Sequence, residues 1–173
     1  MSIAEELALL LIVCNTRAMV TVGEALNRRA DLQKRIAQLE ERMRACVLVQ
    51  EGEEPPERPE ELLAELEAHC DELERLIGAI NHTNASTRLA TGETITEALA
   101  RRDVLALRAG ALRSAIRAAS DRHAFPRLTR SEIRMVRQVQ ISDLQERADR
   151  HAKAQRQLDN ALQEHNWTTA LIE

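Results

Sequence analysis

Hydrophobic residues recur at helical spacing along most of this chain. From residue 22 to residue 46 the repeat is a heptad with two recurring positions, occupied by Val22, Arg29, Ile36 and Met43 and by Ala25, Leu32, Leu39 and Cys46. Such a repeat is typical of a helix that packs along one stripe against a neighbour. The pattern predicts a first helix, which ends before Gly52 and the prolines of residues 50–59.

Three more helices are predicted from the same kind of pattern. The second begins after Pro59, with the stripe Leu63, Leu66, Cys70, Leu73, Ile77 and Ile80. A capping box of Thr94 and Glu97 opens the third, with the row Ile95, Ala98, Arg102, Leu105, Ala109, Leu112, Ile116 and Ala119. Ser142 and Gln145 offer the same signal for the fourth, with Leu144, Ala148, His151, Gln155, Leu158, Leu162 and His165 on one row.

The segment before the fourth helix has a different period. Ile133, Met135, Arg137, Val139 and Ile141 alternate with polar residues, which predicts a short strand. A lone strand is not stable, so we expect the turn region of residues 87–94 to pair with it. The predicted fold class is therefore mainly α, an antiparallel helical bundle or coiled-coil hairpins with a small β element.

The first eighteen residues join none of these stripes. We predict that residues 1–18 are an N-terminal extension, either upstream of a start at Met19 or a short docking helix, and that residues 19–173 form a single helical domain. The apolar run from Leu7 to Cys14 is too short to cross a bilayer and follows two glutamates instead of a basic segment. A signal peptide is therefore not expected, and we predict a cytoplasmic protein.

Composition and charge narrow the classes of partner. Ala, Glu, Lys, Leu and Arg make up 94 of the 173 residues, and Phe125 and Trp167 are the only aromatic residues. Residues 51–74 hold eleven acids against one arginine, whereas residues 101–137 hold ten arginines against three acids. An acidic chain with so few aromatic residues is not expected to bind nucleic acid or membranes. The segregated charges favour pairing within the chain or between copies in a homo-oligomer.

Motifs that carry chemistry are scarce. The five glycines form no phosphate-binding loop, and no histidine has a glutamate three residues before it, the spacing of di-metal helical bundles. Cys46 and Cys70 occupy stripe positions, where a thiol behaves as a small buried hydrophobic group. We therefore expect no catalytic residue, no metal site and no cofactor.

One polar cluster is the exception. Amides, hydroxyls, arginines and one indole lie near the predicted helix ends, and they could come together around a small space that suits an anionic ligand. Arg102, in an otherwise apolar row, must reach solvent or meet a carboxylate. The candidate binding residues are Asn81, Thr83, Asn84, Arg88, Arg101, Arg102, Asp103, Asn166, Trp167 and Thr168. The alternative interpretation is that these groups cap helices and form ion pairs.

Six segments also carry a resemblance to a known family. They are residues 24–36 (EALNRRADLQKRI), 49–55 (VQEGEEP), 80–84 (INHTN), 98–105 (ALARRDVL), 130–133 (RSEI) and 166–169 (NWTT). On these segments, which cover most of the chain from about residue 20 onward, the protein resembles the septicolysin-like family of small bacterial proteins. The family name implies a pore-forming cytolysin, but the resemblance supplies no catalytic or binding residues.

The functional expectation combines these observations. We predict a non-enzymatic, homo-oligomeric interaction or scaffold protein, because long heptad stripes and segregated charges leave a single chain with unsatisfied faces. The first alternative is a binder of a small anionic ligand, or an enzyme, built on the polar cluster. The second is the membrane-active cytolysin that the family resemblance implies.

Overall fold

The computed structural model describes residues 19–120 and 136–172. Over these residues the chain forms four α-helices: α1 (Val22–Cys46), α2 (Pro59–Ser86), α3 (Ile95–Ser120) and α4 (Ile141–Thr168). The mainly α fold class is confirmed. The predicted N-terminal extension, residues 1–18, lies outside the described residues.

The described residues divide into two compact units. Unit 1 comprises residues 19–87 and 165–172, and unit 2 comprises residues 88–120 and 136–164. Unit 1 is built on α1 and α2, and unit 2 on α3 and most of α4. The single domain expected for residues 19–173 stays a prediction.

In unit 1, α1 and α2 form an antiparallel hairpin. Leu39 and Cys46 near the end of α1 pack with Leu62 at the start of α2 in one buried cluster. An ion pair stands at the same end, where Arg42 Nε donates to Glu57 Oε1 at 3.0 Å. This hydrogen bond lowers the pKa of the Glu57 carboxyl group. The first helix of the pair was predicted with the correct bounds and the correct buried stripe.

The buried stripe of α2 differs from the prediction at two of its six positions. Leu62 is 3% exposed and Leu63 is 45% exposed, so the stripe begins at Leu62. Cys70 is likewise exposed, while its neighbour His69 is half-buried. The other four predicted positions are buried or half-buried: Leu66, Leu73, Ile77 and Ile80. The prediction of a buried thiol was therefore wrong for Cys70 and is confirmed for Cys46. Adjacent leucines allow both three-four repeats, and contact with α1 selects the one that contains Leu62.

In unit 2, the start of α3 packs against the end of α4. Ile95 and Ala98 form a buried cluster with Leu158 and Leu162, so these two helices are also antiparallel. The capping box of α3 is confirmed, because the Thr94 N–H donates to Glu97 Oε2 at 2.8 Å and the Glu97 N–H donates to Thr94 Oγ1 at 3.2 Å. The bond from the Thr94 backbone lowers the pKa of the Glu97 carboxyl group.

Two local predictions in unit 2 were wrong. Ser142 does not cap α4, because the helix already begins at Ile141 and the Ser142 hydroxyl lies beside Asp143. Residues 136–140 form no strand, and residues 133–135 lie outside the described residues. The turn region that was expected to supply the partner closes on itself instead, through an isolated β-bridge between Arg88 and Thr94. The only other isolated β-bridge of the described residues joins Thr21 to Ala170.

The leucine pair tests the register of α2. We expect Leu62→Ala to lower the free energy of unfolding by about 2–5 kcal/mol, because it empties space in the buried cluster. Leu63→Ala should cost about 1 kcal/mol or less, since Leu63 is 45% exposed and lies outside that cluster. Urea denaturation of both variants measures the difference. Equal losses would mean that α2 packs through Leu63.

Candidate functional site

Six of the ten predicted site residues lie in unit 1, near the ends of two helices. Asn81, Thr83 and Asn84 are in the last turns of α2, and Asn166, Trp167 and Thr168 are in the last turn of α4. Thr83 is fully buried, Asn84 and Asn166 are half-buried, and Asn81, Trp167 and Thr168 are exposed. The two Asn-containing segments that the sequence singled out therefore belong to the same compact unit.

Thr83 connects α2 to the end of the chain. Its hydroxyl donates to the Ala79 carbonyl at 2.8 Å and accepts from the Ile172 N–H at 2.9 Å. Because the side chain is fully buried, both polar functions of this hydroxyl are satisfied inside the protein. Thr83 thus holds the C-terminal segment, residues 169–172, against α2.

The C-terminal segment also pairs with the start of α1. The Val22 N–H donates to the Thr169 carbonyl at 3.0 Å, and the Leu171 N–H donates to the Val20 carbonyl at 2.8 Å. These bonds flank the antiparallel bridge between Thr21 and Ala170. At the same place Thr21 and Glu24 form a capping box that opens α1, a local signal that the sequence analysis missed.

A glycine permits this close approach. A Cβ atom at Gly23 would lie 3.0 Å from the Asn166 carbonyl oxygen and 3.0 Å from Trp167 Cε3. A backbone carbonyl cannot move aside as a flexible side chain can, so only glycine fits at this position without a shift of the chain. Trp167 covers the start of α1 in this way, although 58% of the residue remains exposed.

The other four predicted site residues, Arg88, Arg101, Arg102 and Asp103, lie in unit 2. Arg88 Nη1 donates to the Gly92 carbonyl at 2.6 Å, and Arg101 Nη2 donates to Glu93 Oε1 at 2.6 Å. Both arginines therefore stabilise the turn that precedes α3. The convergence of all ten residues around one space stays a prediction.

Arg102 both reaches solvent and meets carboxylates. Its side chain is 34% exposed, and its Nε and Nη2 atoms donate to Asp103 Oδ1 at 2.9 and 2.8 Å. Asp159 on α4 is a second carboxylate, 3.9 Å from Nε. Since ion pairs open to solvent contribute about 0–1 kcal/mol, this arginine is a minor stabiliser of unit 2.

Two buried polar atoms of unit 1 lack a hydrogen-bond partner among the described residues. They are Asn84 Oδ1 and His165 Nε2. The other ring nitrogen of His165, Nδ1, lies 2.8 Å from the Thr169 hydroxyl oxygen. Burial lowers the pKa of His165, because the charged imidazolium would lose its hydration. We expect this ring to be neutral at pH 7.

A cleft of about 690 Å³ lies along the second half of α2 in unit 1. Its walls combine apolar side chains with charged groups: Arg28, Glu72, Arg75, Leu76, Gly78, Ala79, His82, Leu171 and Ile172. Only the neighbourhood of His82 had been singled out, through the predicted segment of residues 81–84. One sequence signal could have pointed to this part of α2, namely Gly78 in the interior of the helix. A glycine there makes helix formation about 1 kcal/mol less favourable than an alanine would.

An ion pair stands at one edge of this cleft. Arg28 Nε donates to Glu72 Oε1 at 2.7 Å, and the same two side chains line a second depression of about 480 Å³ along α1. That second depression is lined mainly by charged and amide side chains of α1, among them Glu24, Asn27, Asp31 and Arg35. The larger cleft differs in having an apolar wall.

Two further features of the described part of the chain concern metal ligands and membrane-spanning helices. No group of three histidine, cysteine, aspartate or glutamate side chains there could hold a metal ion. His69 comes nearest, with carboxylate oxygens of Glu65 and Glu72 at 3.7 and 4.0 Å. Nor does any helix in residues 19–120 and 136–172 combine the length and the apolar character needed to cross a membrane.

His165 should make the stability of the protein depend on pH. Its pKa is lowered in the folded state, so on acidification the unfolded chain takes up the proton first. The free energy of unfolding should therefore fall below about pH 6.5, by at most about 1.4 kcal/mol per pH unit from this one group. Urea denaturation at pH 7.5 and 5.5 measures the effect.

A histidine on the same unit provides the control for this measurement. His165→Gln should reduce the loss between the two pH values, whereas His82→Gln should not, because His82 is exposed. If both variants kept the same loss as the original protein, burial of His165 would not be its cause.

Comparison with known proteins gives a family but no activity. No curated protein matches the chain. Among solved structures, the chain is similar to the crystal structure of a functionally unknown conserved protein from Corynebacterium diphtheriae, with 34% sequence identity and a TM-score of 0.77. The match covers 88% of this chain and 98% of that chain. The model of a family of unknown function, DUF6847, matches residues 29–171, and this protein belongs to that family.

Proposed function

We propose that this protein is a non-enzymatic interaction or scaffold protein that acts in the cytoplasm as a homo-oligomer. The observation that carries the proposal is a pair of exposed apolar surfaces with opposite charges beside them. One surface belongs to unit 1 and the other to unit 2, and both are exposed in the described part of the chain.

The first surface, the hairpin tip, is residues 47–49 between α1 and α2. Val47, Leu48 and Val49 are 62, 87 and 38% exposed, so three consecutive apolar side chains lie in solvent. The residues that follow include acids at positions 51, 53 and 54, all of them exposed. Scattered apolar side chains are normal on a protein surface, but contiguous ones beside charge are typical of interaction sites.

The second surface, the outer face of α3, is centred on Leu107. Leu107 is 72% exposed and Val104, one turn earlier, is 43% exposed. Helical spacing places Leu107 opposite the buried stripe that contains Ala98 and Ala109. This helix carries five arginines, at positions 101, 102, 108, 113 and 117, against two acids, Glu97 in its first turn and Asp103.

The two surfaces complement one another in a second copy. Each offers aliphatic side chains, and the acids beside the hairpin tip would meet the arginines of α3. Contact between two different patches is heterologous, so repetition produces a closed ring or an open filament. We also propose that the protein is a member of the septicolysin-like family, on the six segments given above. The pore formation that this family name implies would likewise require several copies to assemble.

Light scattering after gel filtration tests the proposal. We expect an oligomer at micromolar concentration whose mass falls in molar salt, because salt screens the charges that flank the contact. Leu107→Glu should lower the mass further, since it places an acid opposite the acidic hairpin tip. Ala106→Glu is the matched control, because it adds the same charge to an exposed neighbouring position.

Two results would contradict the proposal. A monomer at micromolar concentration in low salt would exclude homo-oligomeric assembly altogether. An oligomer that Leu107→Glu and Ala106→Glu affect equally would show that the outer face of α3 is not the contact.

A further inference from the structure

We propose that the cleft along the second half of α2 binds a small amphipathic monocarboxylate, a molecule with one carboxylate and an aliphatic body. The cleft belongs entirely to unit 1. This proposal goes beyond the scaffold function and does not depend on assembly. Its volume of about 690 Å³ lies within the range of roughly 300–1,000 Å³ that is usual for small-molecule sites.

The apolar wall of the cleft comes from two parts of the chain. Leu76 and Ala79 on α2 face it from one side, and Leu171 and Ile172 of the C-terminal segment contribute the other. All four are at least partly exposed, and Ile172 is 40% exposed. Covering this wall with the aliphatic part of a ligand would remove apolar surface from water, which is the main source of affinity in small sites.

Gly78 is an exposed residue that lines the cleft. A Cβ atom built at this position would meet nothing within 4 Å, so the glycine is not required by packing. In the interior of a helix, glycine is about 1 kcal/mol less favourable than alanine. A longer side chain at this lining position meets no steric barrier at its Cβ, so a substitution here can probe whether the cleft takes up a ligand.

The charged groups of the cleft favour an anion. Among the residues that line the cleft, Arg28 and Arg75 are basic and Glu72 is the one acid, and Glu72 is already bonded to Arg28. No carboxylate of the described residues lies within ion-pair distance of Arg75. An arginine with no ion-pair partner among the described residues suits one carboxylate, which its planar guanidinium group can bind through two parallel hydrogen bonds.

The chemical class of the ligand follows from these features. The apolar wall is larger than the polar one, which disfavours a highly charged phosphate compound. A single available guanidinium group selects a single negative charge. An aliphatic monocarboxylate therefore satisfies both parts of the cleft, with its acid at Arg75 and its chain on the apolar wall.

Paired probes test this assignment on the full chain. Octanoate and 1-octanol share the same aliphatic chain and differ in charge, and nuclear magnetic resonance titration measures both. We expect the unchanged protein to bind octanoate saturably with a dissociation constant of about 1 mM or lower. Arg75→Gln should weaken octanoate by about tenfold or more, the usual effect of losing charge-assisted hydrogen bonds, and leave octanol nearly unchanged.

Glycine variants supply the steric test. Gly78→Leu should fill the cleft and abolish binding of both probes, while Gly110→Leu should leave both intact. Gly110 is a matched control, because it is also a helical glycine with open space at its Cβ position, but it lies on α3. Circular dichroism checks that each variant folds, and Arg75→Gln decides the question if Gly78→Leu does not.

Several results would overturn the assignment. The first is that the original protein shows no saturable binding of octanoate. The second is that folded Gly78→Leu binds octanoate as well as the original protein does. The third is that Arg75→Gln weakens the binding of octanoate and octanol equally. A change in oligomeric mass with Gly78→Leu would show instead that a second copy occupies the cleft. Failure of the proposed assembly in light scattering leaves this test unaffected, since it is read from ligand binding.

Discussion

Unit 1 depends on the attachment of the C-terminal segment to the first two helices. The attachment consists of three hydrogen bonds from backbone N–H groups. Val22 donates to the Thr169 carbonyl, Leu171 donates to the Val20 carbonyl, and Ile172 donates to the Thr83 hydroxyl. Each bond contributes only about 0.5–1.5 kcal/mol, but together they join residues that are far apart in sequence. A helical hairpin, which is otherwise built from local contacts, thereby acquires a non-local closure.

Several features have a role only because of this attachment. Gly23 must lack a side chain because the last turn of α4 approaches it, and His165 is buried in that same turn. The cleft along α2 has a second wall because Leu171 and Ile172 are held beside Leu76 and Ala79. The hydrogen-bonding residues near the helix ends thus act first as connectors, and the binding surface that we propose lies next to them. The candidate ligand site belongs to unit 1 and the proposed contact surface on α3 belongs to unit 2, so that each can be tested with its own variants.

The periodicity of hydrophobic residues was sufficient to predict the helices, but it did not predict the contacts that join them. The heptad of α1 could be predicted because its buried residues, from Ala25 to Cys46, follow one unambiguous stripe. The start of the α2 stripe could not, because Leu62 and Leu63 fit the repeat equally well and only contact with Leu39 decides between them. Thr83 and Trp167 were recognised as unusual from their position near helix ends, but their partners are about ninety and one hundred and forty residues away in the chain. Pairings at such separation leave no local pattern, which is also why the cleft was not predicted.

Amide hydrogen exchange in Thr83→Val tests most directly whether the attachment closes unit 1. Valine has nearly the shape of threonine but cannot accept the hydrogen bond from the Ile172 N–H. We predict that the amides of Leu171, Ile172 and Val22 exchange about fivefold faster in the variant, which corresponds to about 1 kcal/mol, while the amides of α3 keep their protection. Unchanged protection at all three amides would contradict the account, because the C-terminal segment would then be held by something other than Thr83.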